Sequence, residues 1–149
     1  MTVPARLDDV DHRILDLLRE DARRTIADIA ERVSLSAAPV KRRIDRLERE
    51  GVIAGYTVVL DHRRIGPSVE AFTELRFAGD TDVDQFLDTV REIPEVQQLF
   101  TIAGDPDALA RIRVEDVDHL KQVINRLRRS GRVTGTKTLM VLDVWSRPE

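Results

Sequence analysis

Between Lys41 and Arg49 the chain places five basic side chains, Lys41, Arg42, Arg43, Arg46 and Arg49, against Asp45 and Glu48. Wound as a helix at about 100° per residue, Val40, Ile44 and Leu47 share one side and form a stripe to be buried. Ala38, Arg42, Asp45, Arg46 and Arg49 lie on the opposite side, with Ala37 and Lys41 nearer one flank. Small residues followed by long cationic ones suit a helix whose N-terminal half comes close to a DNA duplex. Arg and Lys then reach guanine edges or phosphates. The alternative is a solvated basic face on an ordinary helix. Arg43, about 60° from the buried stripe, is expected to pair with an acidic group of the first helix. Thr25, Ser34 and Ser36 stand at expected helix starts. A hydroxyl there caps backbone amides, and the same helix end favours a phosphate.

A second constellation is Gly104-Asp105-Pro106-Asp107. A glycine turn offers backbone amides to a carboxylate, and two carboxylates offer acceptors to an ammonium group. An α-amino acid carries both. Thr136 and Thr138 alternate onto one face of a strand and could add hydroxyls, from this subunit or a neighbouring one. The same four residues also make an ordinary hairpin turn.

The remaining groups assemble no chemistry. His12, His62 and His119 have no metal-ligand spacing, and no metal site is expected. The absence of cysteine excludes disulfides, thiolate zinc sites and cysteine nucleophiles. Gly131-Arg132-Val133-Thr134-Gly135 resembles an acylphosphatase anion loop, but a strand pattern follows it instead of a helix, so it reads as a turn. No paired carboxylates and no nucleophile with its base point to catalysis, so no catalytic residue and no cofactor are expected.

The elements that must position these residues follow from hydrophobic period. Leu7, Val10, Ile14, Leu17 and Leu18 mark a first helix from about Asp8 to Glu20. Thr25 caps a second, with Ile26, Ile29, Ala30 and Val33 inward. Ser34-Leu35 turns, Ser36 caps a third helix, and Gly51 stops it. Val52-Ile53, a turn at Ala54-Gly55, and Tyr56 to Leu60 predict a small hairpin, the wing of a winged helix-turn-helix. Residues 1–60 form this DNA-binding domain and 61–67 the linker. Residues 68–149 then alternate strand and helix as β-α-β-β-α-β, with strands over Val69–Phe77, Val96–Ala103, Ala108–Val114 and Val133–Trp145. Helices cover one face of such a sheet. The other face is most economically covered by a second copy, so a dimer through this half is expected.

Charge distribution agrees with a local DNA contact. The chain is −3 overall, yet residues 1–65 carry 13 basic against 12 acidic groups and residues 66–149 carry 11 against 15. An acidic remainder limits non-specific binding and favours a regulator over a DNA-coating architectural protein, which stays as the second reading. No apolar run approaches the roughly 18 residues needed to span a bilayer, and the N-terminus lacks a signal-peptide core. A cytoplasmic protein with no membrane partner is expected.

The chain resembles the Lrp/AsnC, or feast/famine, family of transcription regulators. The resemblance rests on Leu7-Asp8 with Asp11, Ile14-Leu15, Arg23, Leu35-Ser36, Arg43 with Leu47-Glu48, Gly51-Val52-Ile53, Gly55-Tyr56 and Gly66. In the second half it rests on Ala103-Gly104-Asp105 before a strand and on Thr136-x-Thr138. It implies a winged helix-turn-helix joined to a ferredoxin-like regulatory domain. It also implies double-stranded DNA with a pseudo-palindromic site as partner, and self-assembly into dimers, tetramers or octamers. An amino-acid effector at an interface of the regulatory domains is implied too, near Ala103, Gly104, Asp105, Asp107, Thr136 and Thr138.

Overall fold

A computed structural model describes residues 5–145. The chain divides into two compact units near Val59–Leu60.

The first unit is a three-helix cluster of α1 (Asp9–Glu20), α2 (Ile26–Arg32) and α3 (Ala37–Arg49). Each helix starts where a local cap allows it. Asp8 and Asp11 form a reciprocal capping box at α1, and the Thr25 hydroxyl accepts from the Asp28 amide at 3.1 Å at α2. The apolar stripes of the three helices meet in one core of Ile14, Leu17, Ile29, Ala30, Val40, Ile44 and Leu47. Arg24 ties α1 to α2: its guanidinium donates to the Leu17 carbonyl at 3.1 Å and pairs with Glu20 and Asp28. Gly51 ends the third helix at φ +73°, in the left-handed region that glycine occupies without penalty.

The expected hairpin does not form. Residues 52–60 belong to no strand. Val52 and Ile53 pack on the helical core instead, and the Ile53 amide donates to the Leu47 carbonyl at 3.0 Å. With both used to finish α3, Tyr56 to Leu60 have no partner strand among the described residues. Val58 and Val59 are left exposed there.

The second unit opens with a single 3-10 turn, His62–Arg64, in the stretch expected to be irregular. Then follow β1 (Val69–Phe77), α4 (Val83–Arg91), β2 (Val96–Thr101), β3 (Ala108–Val114), α5 (Val117–Arg129) and β4 (Val133–Met140). The antiparallel sheet has the order β2-β3-β1-β4. This is the expected β-α-β-β-α-β arrangement. The last strand is shorter than its apolar run, because β1 starts at Val69 and the final rung is Val141 N to Glu70 O at 2.8 Å. Likewise β2 stops at Thr101, before Ala103.

Alternation assigns the two sheet faces. Ala71, Leu75, Ala108, Ala110, Ile112 and Val114 point to α4 and α5, against Phe86, Val90, Leu120, Val123 and Leu127. The three alanines let the helices sit close. By register, Phe72, Leu109, Phe100 and Leu139 share the other face with Glu70, Arg111 and Arg113. Neither α4 nor α5 covers that face, and Phe100 and Leu139 are about half exposed.

Candidate nucleic-acid interface and ligand turn

The turn before α3 decides which of its residues face outward. Ser34 adopts φ +56°, the only positive φ outside glycine among the described residues. It therefore lies in the left-handed turn that closes α2, with its amide donating to Glu31, and not at a helix start. Ser36 is the N-cap of α3, but its hydroxyl makes no capping bond, contrary to expectation. Both residues are exposed, and Ser36 leads into the first turn of α3, whose amides are open. Thr25 caps α2 as expected and is exposed as well.

Along α3, Ala37, Ala38, Lys41, Arg42 and Asp45 are all exposed. Lys41 pairs with Asp45 one turn on at 2.8 Å, which lifts the Lys41 pKa and holds its ammonium charge. Arg42 and Arg49 have no ion pair among the described residues.

The basic set then splits. Arg43 donates from Nη1 to Asp8 Oδ2 at 2.7 Å and to Asp11 Oδ1 at 2.8 Å, the expected pairing with the first helix. Arg46, expected on the outward face, also turns to α1 and binds Asp11 Oδ2. Its Cα leaves α3 between the outer face and α1, and its long stem reaches the buried carboxylate. Asp11 is 1% exposed. Burial pushes its carboxyl up, but hydrogen bonds from Arg43, the Asp8 amide and Arg46 outweigh that and hold it below the usual range. Sequence reasoning missed Asp11 as the partner of two arginines. It also missed the Arg24 tie, although Glu20, Arg24, Asp28 and Arg32 stand at successive i,i+4 positions.

In the second unit the Gly104–Asp107 turn joins β2 to β3. Its two carboxylates do different things. Asp107 is locked to the end of β1: its Oδ2 accepts from the Phe77 amide at 2.7 Å, its amide donates to Leu75 O at 3.1 Å, and its carbonyl accepts from Ile102 at 2.8 Å. Asp105 is 76% exposed and pairs with Arg76 at 2.9 Å. Ala103 and Gly104 are exposed beside it, with Gly104 at φ +147°.

Thr136 and Thr138 fall on the helix-covered face of β4. The Thr138 and Thr73 hydroxyls bond at 3.0 Å, and Thr136 accepts from Arg128 Nε at 3.0 Å. Register puts Ala108 and Thr136 on either side of Leu75. The turn and the threonines are therefore separated by β1, two strand spacings or about 10 Å. A small amino acid cannot touch both from within one chain at hydrogen-bond distance.

On the open sheet face Glu70 holds both Arg111 and Arg113, and Arg113 donates to His62 Nε2 at 2.9 Å. Burial raises the Glu70 carboxyl, and the two arginines more than reverse that. His119 pairs with Glu95 at 3.1 Å. Among the described residues no cluster of His, Cys, Asp and Glu could hold a metal ion. Likewise, no described helix is long and apolar enough to cross a membrane.

The family model for winged helix-turn-helix DNA-binding matches residues 7–54, and that for the Lrp/AsnC ligand binding domain matches residues 70–148. The HTH-type transcriptional regulator Rv2324 of Mycobacterium tuberculosis is 41% identical over 138 residues, covering 93% of each chain. The glutamate uptake regulatory protein of Zymomonas mobilis is 34% identical over 140 residues, covering 93% of this chain and 85% of its own. A crystal structure of a transcriptional regulator from Neisseria meningitidis in complex with L-Met superposes at TM-score 0.88 and 28% identity, covering 96% of this chain and 94% of that one.

Proposed function

The chain belongs to the Lrp/AsnC family of DNA-binding transcription regulators, and from that premise we propose which of its surfaces read DNA and which take an effector. It is a regulator and not an enzyme. The reading surface is the outward side of α3, Ala37, Ala38, Lys41, Arg42 and Asp45, with the hydroxyls of Thr25, Ser34 and Ser36 toward phosphates. The observation that carries this is the exposed, unpaired Arg42 beside two exposed alanines. Small residues admit the duplex, and an uncommitted guanidinium can bind guanine bidentately. A symmetric dimer presents two such helices to a pseudo-palindrome. The bare sheet face with Phe72, Phe100, Leu109 and Leu139 supports a second copy of the chain as its cover.

The effector is a free α-amino acid. Its carboxylate meets the amides around Ala103 and Gly104, and its ammonium meets Asp105. Thr136 and Thr138 complete the site from a neighbouring subunit, since β1 separates them from the turn in their own. Two proteins bearing this chemistry support the class: a relative named for glutamate uptake and a similar structure solved with L-Met. Residues 1–60 serve as the DNA-binding domain, 61–67 as connector and 68–149 as regulatory domain.

Two measurements test this. A thermal-shift screen of the proteinogenic amino acids should yield at least one that raises the melting temperature, and a flat screen rejects the effector. Binding to a duplex selected from a random pool should exceed binding to scrambled DNA by at least about a thousandfold at physiological salt. Equal affinities favour the architectural reading instead.

A further inference from the structure

The charge on α3 that does not face outward is collected by one carboxylate. Asp11 Oδ1 receives Arg43 at 2.8 Å, while its Oδ2 receives Arg46 and the Asp8 amide at 3.1 Å. Asp8 takes a further share of Arg43 at 2.9 and 2.7 Å. Two guanidiniums and two carboxylates make a cluster with no net charge. Arg46 binds Asp11 through Nη2, while its Nε is buried without a hydrogen-bond partner. Its side chain is one-third exposed, so the ion pair with buried Asp11 is what holds it toward α1.

We propose that Asp11 is a positioning residue for DNA recognition: it sets the rotation of α3 about its axis and keeps Arg43 and Arg46 off the phosphates. This rests on α3 being the reading helix. A free arginine neutralises a phosphate whatever the base sequence, and each such contact adds about 0.9 to the logarithmic salt slope of binding. Withholding two of them lowers affinity for all DNA alike and leaves base contact to Lys41 and Arg42. The ratio between selected and scrambled DNA is unchanged by that uniform loss, while less of the protein is held on random DNA. The lowered carboxyl of Asp11 keeps the clamp ionised at neutral pH.

The test uses the full chain, a duplex selected by the wild type from a random pool, and a scrambled duplex, each titrated across a range of KCl. Arg46→Gln should keep the wild-type salt slope, whereas Arg42→Gln should lower it or weaken binding to the selected duplex. Asp11→Asn keeps an acceptor for the cap and loses the charge. It should raise the slope by about 1 to 2 per protomer and tighten scrambled-DNA binding by about five- to thirtyfold at 0.15 M salt. A slope loss in Arg46→Gln, or a folded Asp11→Asn protein with wild-type slope and wild-type affinity for scrambled DNA, overturns the proposal. If Asp11→Asn does not fold, the double variant Arg43→Gln, Arg46→Gln decides: an unchanged slope supports the clamp and a lowered one rejects it. A wild type that cannot distinguish the two duplexes rejects the reading of α3 itself.

Discussion

Asp105 and Asp107 stand two residues apart in one turn, and their substitution should have opposite consequences. Asp107 accepts from the Phe77 amide through Oδ2 at 2.7 Å. A hydrogen bond to a charged group contributes about 1.5–3 kcal/mol, and access of water to this turn reduces that to about 1–2 kcal/mol. The second compact unit spans Leu60–Arg147. For a unit of that size 1 kcal/mol moves the midpoint by about 4–8 °C, so Asp107→Ala should melt roughly 5–15 °C lower. The pair of Asp105 with Arg76 is exposed and contributes at most about 0.5 kcal/mol, so Asp105→Ala should melt within about 4 °C of wild type. The order reverses when ligand is added. An amino acid at a hundred times its dissociation constant stabilises the wild type by about 2.7 kcal/mol. Asp105→Ala should lose that shift. Differential scanning calorimetry of the three proteins, with and without the amino acid found by screening, reads both effects. A ligand shift that survives in Asp105→Ala refutes the ammonium contact, and an unchanged midpoint in ligand-free Asp107→Ala refutes the structural role.

Three further outcomes follow from the packing and charge. Phe86 is fully buried between α4 and the sheet, so Phe86→Ala should cost about 3–5 kcal/mol by urea titration, and a loss under 1 kcal/mol would contradict the packing described. Asp11 and Glu70 have carboxyls held below their ordinary values, so their stabilisation is complete above the unfolded-state pKa near 4 and fades as pH falls toward the folded values; stability constant from pH 6 to pH 3 would be inconsistent with both networks. Phe100→Glu combined with Leu139→Glu puts charge on the bare sheet face without touching the core, and light scattering should show smaller particles with native circular dichroism; unchanged particle mass would remove that face as the dimer contact.

What the sequence determined by itself was local. Hydrophobic period at 3.6 and 2 located five helices and four strands, because one buried face imposes its spacing on the residues that form it. Side-chain chemistry next to the chain's own amides determined the Thr25 cap and the Gly51 stop. The direction of Arg43 was legible from its angle on α3, since a residue flanking the buried stripe can only meet the neighbouring helix. The tertiary structure decided whatever depended on a partner distant in sequence. Arg46 sits at an angle from which its stem reaches either solvent or α1, and the choice was made by Asp11, 35 residues away and buried. The expected hairpin is absent among the described residues because a strand needs a partner, and Val52 and Ile53 pack on the helical core instead. Thr136 and Thr138 alternate in any strand, but only the β1–β4 register turned them toward the helices, away from the Gly104–Asp107 turn. Period and capping act within a few residues, whereas ion pairing and register depend on which segments the fold brings side by side.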